Sequence, residues 1–592
     1  MTRSLSASRL NDFLGCAHQS ALWLDGVAPD EEVDETLQLI RAKGFEHEAA
    51  VLARLEAVHG PAVHIPTEGG MEVRVAATHA AIASGAPLIY QGALVQAPWI
   101  GFPDFLIRKE TAENGVRYEP EDAKLARKAK PDYVLQLGIY ADLLEASVGH
   151  PVDSGVIHGS GDEPESFDLR QTRHILRRQM KTFEDFVASA ERETVPVPCA
   201  ASAQCDYQAR CEAEWRAADS PYFVAGVSGA QVVKLREGGV TTLAELAQAP
   251  STTTIAGIGA PTFDKLRQQA RLQLAARETG QHSVEILPLE SGRGFFQLPD
   301  ADFGDLYFDM EGDPLYEGGL EYRLGLWGPL GKDGADEFVP IWAHDPIAEK
   351  AAFEQLIRLF VAHLARYPNA HIYHYAQYEP NALKRLAMRY ATMEVELDQL
   401  LRDRRFVDLY RIVRQGVRAS TEAYSLKSLE KIYWGERSGD VRNAAASIVE
   451  YERWRVSQDQ AILDSIAHYN KDDCFSTAQM HRWLVGLRPP GASYRVVDEL
   501  GGDEREKAAE RTALEVRRQQ IAASVRASTV GNEAVREVVA ELIWFHQRAQ
   551  KPGWWALFER QMWSDEELID DAESLGALEL DTSVPAQTDK QS

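Results

Sequence analysis

A chain of 592 residues exceeds the roughly 250 to 300 residues at which one hydrophobic core stops growing, so about three or four structural units are expected. Its 45% hydrophobic and 26% charged content is that of a soluble globular protein, and no run of about 18 apolar residues offers a membrane span. The formal net charge of -27 argues against indiscriminate nucleic-acid binding, because neutralising phosphates takes clustered lysine and arginine.

The N-terminal residues lack the apolar core of a secretory signal, which places the five cysteines in a reducing compartment, the cytoplasm by default, and asks for a role other than disulfides. The acidic stretches Asp30 to Glu35 and Asp565 to Glu573 read as solvated faces. Residues 1 to about 215 read as mixed α/β. Their expected elements are a capped helix from Ser8, a long helix around Gly44, strand-like alternation from Leu88 to Arg108, a strand near Tyr118 to Lys124 and a helix after Pro131.

Within this region Asp104 closes the apolar run Gly101-Phe102-Pro103, and Asp122-Ala123-Lys124 follows on the next strand, where alternation puts Asp122 and Lys124 on one face. Two carboxylates and an amine suit phosphodiester hydrolysis: hard Mg2+ or Mn2+ ions take carboxylate oxygens, and a lysine polarises water or stabilises developing phosphorane charge. Gln136 and Tyr140 share a helical face at i, i+4, and His47 lies on the stripe Ile40, Gly44, His47, Val51. Taken singly, His47 reads as a satisfied helix histidine and Asp122 as a strand-edge carboxylate.

The ordered set, an early His, an Asp after Gly, a D-x-K strand and Q-x-x-x-Y, resembles the RecB-like branch of the PD-(D/E)xK nucleases. The resemblance implies a restriction-endonuclease-like core with His47, Asp104 and Asp122 as metal ligands, Lys124 as catalytic lysine, and Gln136 with Tyr140 as the DNA-contacting pair. RecB-like nucleases often carry a four-iron four-sulfur cluster on one early and three late cysteines, which implies that role for Cys16, Cys199, Cys205 and Cys211. Here Ser202 stands where the family has a second late cysteine, and zinc accepts four thiolates with looser spacing, so both metals stay open. Cys474 reads as core packing.

From about 216 to 282 short helices are broken by Gly238-Gly239-Val240 and Gly257-Ile258-Gly259. This resembles helix-hairpin-helix modules, which hold DNA backbone through loop amides. The region 283 to 495 opens with an apolar strand bearing Asp309-Met310-Glu311, continues through Tyr322 to Trp327 and Phe338 to Trp342, and then alternates helices with short strands, as in a ribonuclease H-like mixed sheet. Asp309 and Glu311 project to one face. Glu379 follows the aromatic strand and turn His371 to Tyr378, and Tyr469 lies i, i+4 from Asp473 on a helix.

These residues resemble the DEDD exonucleases of the Tyr type, with Glu379 where the family carries Asp. The resemblance implies that Asp309, Glu311, Glu379 and Asp473 hold two cations and that Tyr469 orients the attacking water. His468 is five residues from Asp473 and rotated about 140° from it, which favours Tyr469. The stretches Phe406 to Tyr410 and Tyr424 to Glu430 resemble the YprB-like ribonuclease H-fold family; Asp408 reads as a strand-end cap and Lys427 as a surface or phosphate-contacting lysine.

Residues 496 to 592 read as a helical, Trp-bearing extension (Trp544, Trp554, Trp555) ending in an acidic, polar tail. The expected organisation is therefore α/β multidomain: a nuclease core with a cysteine staple over 1–215, a hairpin linker over 216–282, a ribonuclease H-like domain over 283–495 and a helical extension over 496–592. Together the parts resemble a bacterial family of RecB-like nucleases, many of which continue into a helicase. Gly328, Gly331 and Lys332 do not make a complete phosphate loop, so ATP hydrolysis by this chain is not predicted and a helicase would come from another chain. The expected activity is metal-dependent cleavage of single-stranded or ended DNA in repair or processing. A catalytically weak DNA-binding scaffold and a ribonuclease are the alternatives.

Overall fold

The computed structural model describes residues 4–30, 35–111, 115–161, 163–199, 201–202, 205–435, 444–494 and 502–560, with a few single positions beyond. The expected acidic tail, and all but the two ends of Asp30 to Glu35, lie outside the described residues. The chain is a mixed α/β multidomain protein. It divides into two compact units, one built from 1–379 with 400–494 and one from 380–399 with 495–592. No described helix is long and apolar enough to cross a membrane.

The first unit begins with a six-stranded sheet in the order Val63–His64, Leu88–Tyr90, Phe105–Thr111, Gly115–Ala123, Ser154–His158, Glu165–Asp168. The strands Leu88–Tyr90, Phe105–Thr111 and Gly115–Ala123 are antiparallel neighbours, whereas Gly115–Ala123 and Ser154–His158 are parallel, with Asp122 opposite Ile157. A parallel pair needs a crossover, and the helix Pro131–Val148 supplies it, entering on a proline and ending at Gly149 in the left-handed conformation. Phe105 and Ile107 pack with Val51 and Leu55 of the helix Glu35–His59, while Leu106 packs with Leu137 and Leu144 of the crossover helix. Burial on both faces is why this strand reads as an uninterrupted apolar run rather than an alternating one.

Two local expectations need correction. The first helix is Ala7–Gly15, capped by Ser6, whose hydroxyl accepts from the Arg9 N–H, so the helix opens one turn position earlier than a start at Ser8. The alternation from Leu88 to Arg108 is not one strand: Leu94–Gln96 and Trp99–Gly101 peel off into a separate three-stranded sheet with Leu5–Ser6. Gly92, Pro98 and Pro103 interrupt the run, and proline cannot continue a hydrogen-bonded ladder.

Between the sheets, Gly229–Glu237 and Leu243–Gln248 both open on capping boxes, Ser228 with Gln231 and Thr242 with Glu245. The third helix, Ala260–Thr279, follows Gly257, which is left-handed. Lys234 Nζ donates to the Gly257 carbonyl at 2.9 Å. Leu235, Val240, Leu246, Ile255 and Phe263 form this module's own small core.

The second sheet of the first unit runs Glu337–Trp342, Leu320–Gly328, Leu306–Asp313, Ile372–His374, Phe406–Asp408. Leu306–Asp313 is antiparallel to Leu320–Gly328 and parallel to Ile372–His374. The helix Pro346–Arg366, capped by Asp345, buries Phe353, Leu356 and Phe360, the last edge-on to Phe308 at 5.5 Å. The helix Gln460–Leu487 buries Tyr469, Asn470 and Asp473.

The second unit is helical, as read for the C-terminal segment, and Pro380–Gln399 joins it. Trp555 Nε1 donates to Asp398 at 3.2 Å, Arg548 pairs with Glu394 at 3.0 Å and Lys384 with Glu559 at 3.0 Å. Those long-range partners are invisible to a reading that takes elements in chain order.

Gly101 tests the packing of the crossover helix. A Cβ there would sit 2.8 Å from both Leu143 Cδ1 and Tyr140 Cδ1. Gly101→Ala is expected to destabilise the N-terminal core by about 1–3 kcal/mol through overpacking, read as a lowered urea midpoint.

Candidate metal centres and a cysteine pocket

Strand alternation sends Asp309 and Glu311 to one face of the central strand Leu306–Asp313, and the helix Gln460–Leu487 lays Asp473 against that face. One ligand oxygen from each of the three lies within 4.8 Å of the other two. Among the described residues, no other group of three His, Cys, Asp or Glu side chains is as close. Burial raises the Asp309 carboxyl well above the usual carboxylate range, and Asp473, Glu311 and Glu379 push it further, while Asn470 opposes them. Glu311 is pushed up to about 8, by burial first and then by the Asp473 charge. Such concentrated, desolvated carboxylates are what a hard cation relieves.

Glu379 opens the helix Tyr378–Tyr390 and is buried. Its carboxyl is also raised, by burial and by the Asp408, Asp473 and Glu311 charges, so it shares the field of the triplet without belonging to it. Its Oε2 lies 3.7 Å from His374 Nδ1. Asp408 caps the following helix through the Tyr410 N–H, as its strand-end position suggested. It also accepts from Ala376 N and from Gln377 Nε2, both at 2.9 Å. Ala376 has φ 69°, a left-handed conformation costly for a residue with a Cβ, so Asp408 holds the turn that delivers Glu379.

Tyr469 is buried beside the triplet, and Lys427 Nζ donates to its hydroxyl at 2.6 Å. Lys427 also lowers the Glu311 carboxyl through its charge, which places this lysine in the site rather than on the surface. The largely exposed His468 lies 3.7 Å from Asp472. Asn470 was not singled out by its chemistry, yet its Nδ2 donates to Asp309 at 2.6 Å. The signal was its place one helical turn before Asp473. Gly325, opposite Asp309 in the ladder, is required there, because a Cβ would collide with the Asn470 side chain. Cys474 is core packing, its thiol donating to the Gly325 carbonyl at 3.3 Å.

In the N-terminal sheet Asp104, Asp122 and Lys124 come together. The Ala123 N–H donates to Asp104 at 2.9 Å, the Asp104 N–H donates to Asp122 at 3.3 Å, and Lys124 pairs with Asp122. Burial raises the Asp104 carboxyl well above the usual range, with Asp122 and Glu48 adding to the effect. Burial disfavours the Lys124 ammonium, but Asp122 and Asp104 hold it above the usual lysine range. Gln136 Nε2 donates to the Tyr140 hydroxyl at 2.7 Å, and Tyr140 is buried. His47 bonds through Nε2 to the His158 carbonyl at 2.9 Å. The carboxylate that its helix turns toward Asp104 is the neighbouring Glu48, which also accepts from Tyr90 at 2.8 Å. Sequence reading missed Glu48 because attention fell on the histidine beside it.

Cys16, at the break between two N-terminal helices, lines one pocket with Cys199, Cys205 and Cys211. Burial raises the Cys16 and Cys205 thiols, and burial with the neighbouring thiols and Glu214 pushes Cys211 up to about 12. Ser202 packs into the turn where a further cysteine was expected, its hydroxyl accepting from the Cys199 N–H at 3.1 Å.

No curated protein matches this chain. A family model, RNase_H_2 of the RNase_H superfamily, matches residues 306–485, the segment that begins at the central strand and runs through the helix of Asp473. Residues 306–485 are thus a ribonuclease H-like domain, with its acidic triplet in position to bind divalent metal.

Proposed function

We propose that this protein is a metal-dependent nuclease with two carboxylate centres, cleaving phosphodiester bonds of single-stranded or ended DNA in repair or processing. The observation that carries the reading is the convergence of Asp309, Glu311 and Asp473 within 4.8 Å on a ribonuclease H-like domain. Mg2+ or Mn2+ bound there would polarise the phosphoryl oxygens and clamp the attacking and leaving oxygens. The chain's own residues do the rest: Asn470 fixes Asp309, Lys427 orients the Tyr469 hydroxyl, and Tyr469 holds water for in-line attack.

The N-terminal region is read as a RecB-like core. Support comes from its antiparallel meander followed by a helical crossover to a parallel strand, with Asp104, Asp122 and Lys124 gathered at one end. Asp104, Asp122 and Glu48 would hold its cation, with His47 near the same helix turn. The loop at Gly257 would hold backbone phosphate through its amides.

The four cysteines would suit a resident metal group, since all four line one pocket, where burial first and neighbouring thiols second raise Cys16, Cys205 and Cys211. Tetrahedral zinc with Zn–S bonds of about 2.3 Å needs sulfurs roughly 3.8 Å apart. No three thiols lie within 4.8 Å of one another among the described residues, and a four-iron four-sulfur cluster and zinc both stay open. A scaffold that binds DNA and recruits a helicase from another chain is favoured by one observation, Glu379 standing outside the close triplet. RNA remains a substrate alternative, because nothing in the site reads a 2'-hydroxyl.

With labelled single-stranded and duplex DNA in Mn2+, Asp309→Ala and Lys124→Ala are each expected to remove part of the cleavage and the double variant all of it. Binding without cleavage by the wild type would establish the scaffold instead. Asn470→Ala is expected to cost about 10- to 100-fold in metal affinity at the second centre, measured by Mn2+ titration. Because Glu311 titrates at about 8 rather than its ordinary 4.5, metal uptake below about pH 8 must release its proton. The metal-free protein binds more protons folded than unfolded in that window, so its stability falls as pH rises through it. Mn2+ is therefore expected to raise the melting temperature more at the alkaline end of the window than at the acid end, and Glu311→Gln should flatten that difference. Anaerobically purified protein should show cluster absorbance with bound iron that Cys205→Ala abolishes; protein with neither iron nor zinc would end the cysteine assignment.

A further inference from the structure

We propose that the loop Leu125–Lys130 is a binding track for the phosphodiester backbone of a single nucleic-acid strand, running from Lys124 toward the ribonuclease H-like domain. The inference rests on the nuclease reading above and adds to it a site that neither set of carboxylates provides. Lys124, Arg127, Lys128 and Lys130 cluster here in a chain whose net charge is -27, which is the local concentration that phosphate binding demands.

The loop is built rather than merely basic. Its main chain is clamped by the turn Gly159–Gly161: Ser160 N donates to the Ala126 carbonyl at 3.1 Å and Ser160 Oγ to the Leu125 carbonyl at 2.7 Å. Ala129 N donates to Glu165 at 2.6 Å. A Cβ on Gly159 would sit 2.6 Å from the Ala126 carbonyl oxygen, and one on Gly161 would sit 2.8 Å from that of Arg127, so this close approach requires glycine on both sides. The cations are therefore presented by an ordered backbone, and binding does not have to order it.

Lys128 and Lys130 are exposed, and neither forms an ion pair among the described residues. The Lys124 and Lys130 ammonium groups lie over the same Tyr133 ring, 5.6 and 5.9 Å from its centroid. A cation, a half-buried aromatic face and a second cation in sequence match an unpaired strand, whose phosphates take the charges and whose bases stack. Midway along the loop Arg127 donates to the Gly318 carbonyl, and a Cβ on Gly319 would collide with its guanidinium. Gly318 and Gly319 lie in the turn directly after the strand of Asp309 and Glu311. The track thus starts at Lys124 and its midpoint, Arg127, lies against the segment leaving the strand of Asp309 and Glu311.

The test is binding of fluorescent single-stranded DNA and RNA of equal length to the full chain in EDTA, with salt varied from about 50 to 200 mM. Each phosphate contact on a single strand contributes about 0.7 to the slope of log affinity against log salt. Lys128→Ala/Lys130→Ala is expected to reduce the slope by about 1.4, and Lys128→Arg/Lys130→Arg to retain it. Tyr133→Leu should weaken single-strand binding about tenfold while sparing duplex. Equal losses on DNA and RNA would assign the track to the shared backbone, and a loss on one alone would assign it to that polymer. An unchanged slope in the alanine variant, or a wild type that binds neither strand, overturns the track. Cleavage in Mn2+ separates the two claims. If the wild type cuts while the slope is unchanged, only the track fails; if the slope falls and no strand is ever cut, the track stands and the nuclease reading fails.

Discussion

The arrangement of the ribonuclease H-like domain turns on an electrostatic conflict, the burial of Asp309, Glu311 and Asp473 against one another between the central strand and the helix Gln460–Leu487. Packing wants that helix on the sheet, because Tyr469, Asn470 and Cys474 are all buried there. Placing it so forces Asp473 onto the face that already carries two carboxylates. The fold absorbs the conflict in three ways: Asn470 donates to Asp309, Lys427 lends its charge to Glu311, and the acids hold protons to higher pH than usual. Each of these is partial. A divalent ion held by the three carboxylates would relieve the conflict that these partners relieve only in part.

The N-terminal centre meets a similar problem with other means. Asp104 and Asp122 are tied into the main chain of the adjoining strand by the Ala123 and Asp104 N–H groups, and Lys124 supplies an internal countercharge. The first centre is thus partly neutralised by its own lysine, whereas the second keeps its lysine one residue removed, on the Tyr469 hydroxyl. The difference follows from secondary structure. A D-x-K on one strand necessarily brings acid and amine to the same face, while a D-x-E strand brings acid to acid and leaves the cation to be recruited from a distant helix.

That same distinction governs what the sequence could reveal. Asp309 with Glu311, Asp122 with Lys124, and Gln136 with Tyr140 were legible because a period of two or of 3.6 sets their geometry within a few residues. The strand order of both sheets was only partly legible, since parallel neighbours such as Leu306–Asp313 and Ile372–His374 are separated by a long helix. The bond from Lys427 to Tyr469 was not legible because nothing local announces a partner 42 residues away, and Glu48 was passed over beside His47. The Ser6 cap was not legible because Ser4, Ser6 and Ser8 all stand as candidate caps in one short stretch. Pro380–Gln399 lies within the ribonuclease H-like segment, and its packing was not legible because its acids Glu394 and Asp398 meet Arg548 and Trp555, over 150 positions downstream.

A polar seam links the elements that carry the two centres. Lys43, one turn before His47 and Glu48 on the helix Glu35–His59, pairs with Glu452 at 2.7 Å, and both side chains are largely buried. Burial alone would raise Glu452, but its hydrogen bonds to Lys43, Asp313 and Arg455 hold it below the usual range, while burial and Glu452 push Asp313 up to about 7. Asp313 is two residues beyond Glu311, and Ser447, on the same helix as Glu452, hydrogen-bonds Glu311 itself. Lys43 and Arg455 therefore offset the buried charge of Glu452 and Asp313 between the helix of His47 and the strand of Glu311. Removing the Lys43 ammonium would leave Arg455 as the remaining cation on Glu452, beside a buried Asp313, and so weaken this contact.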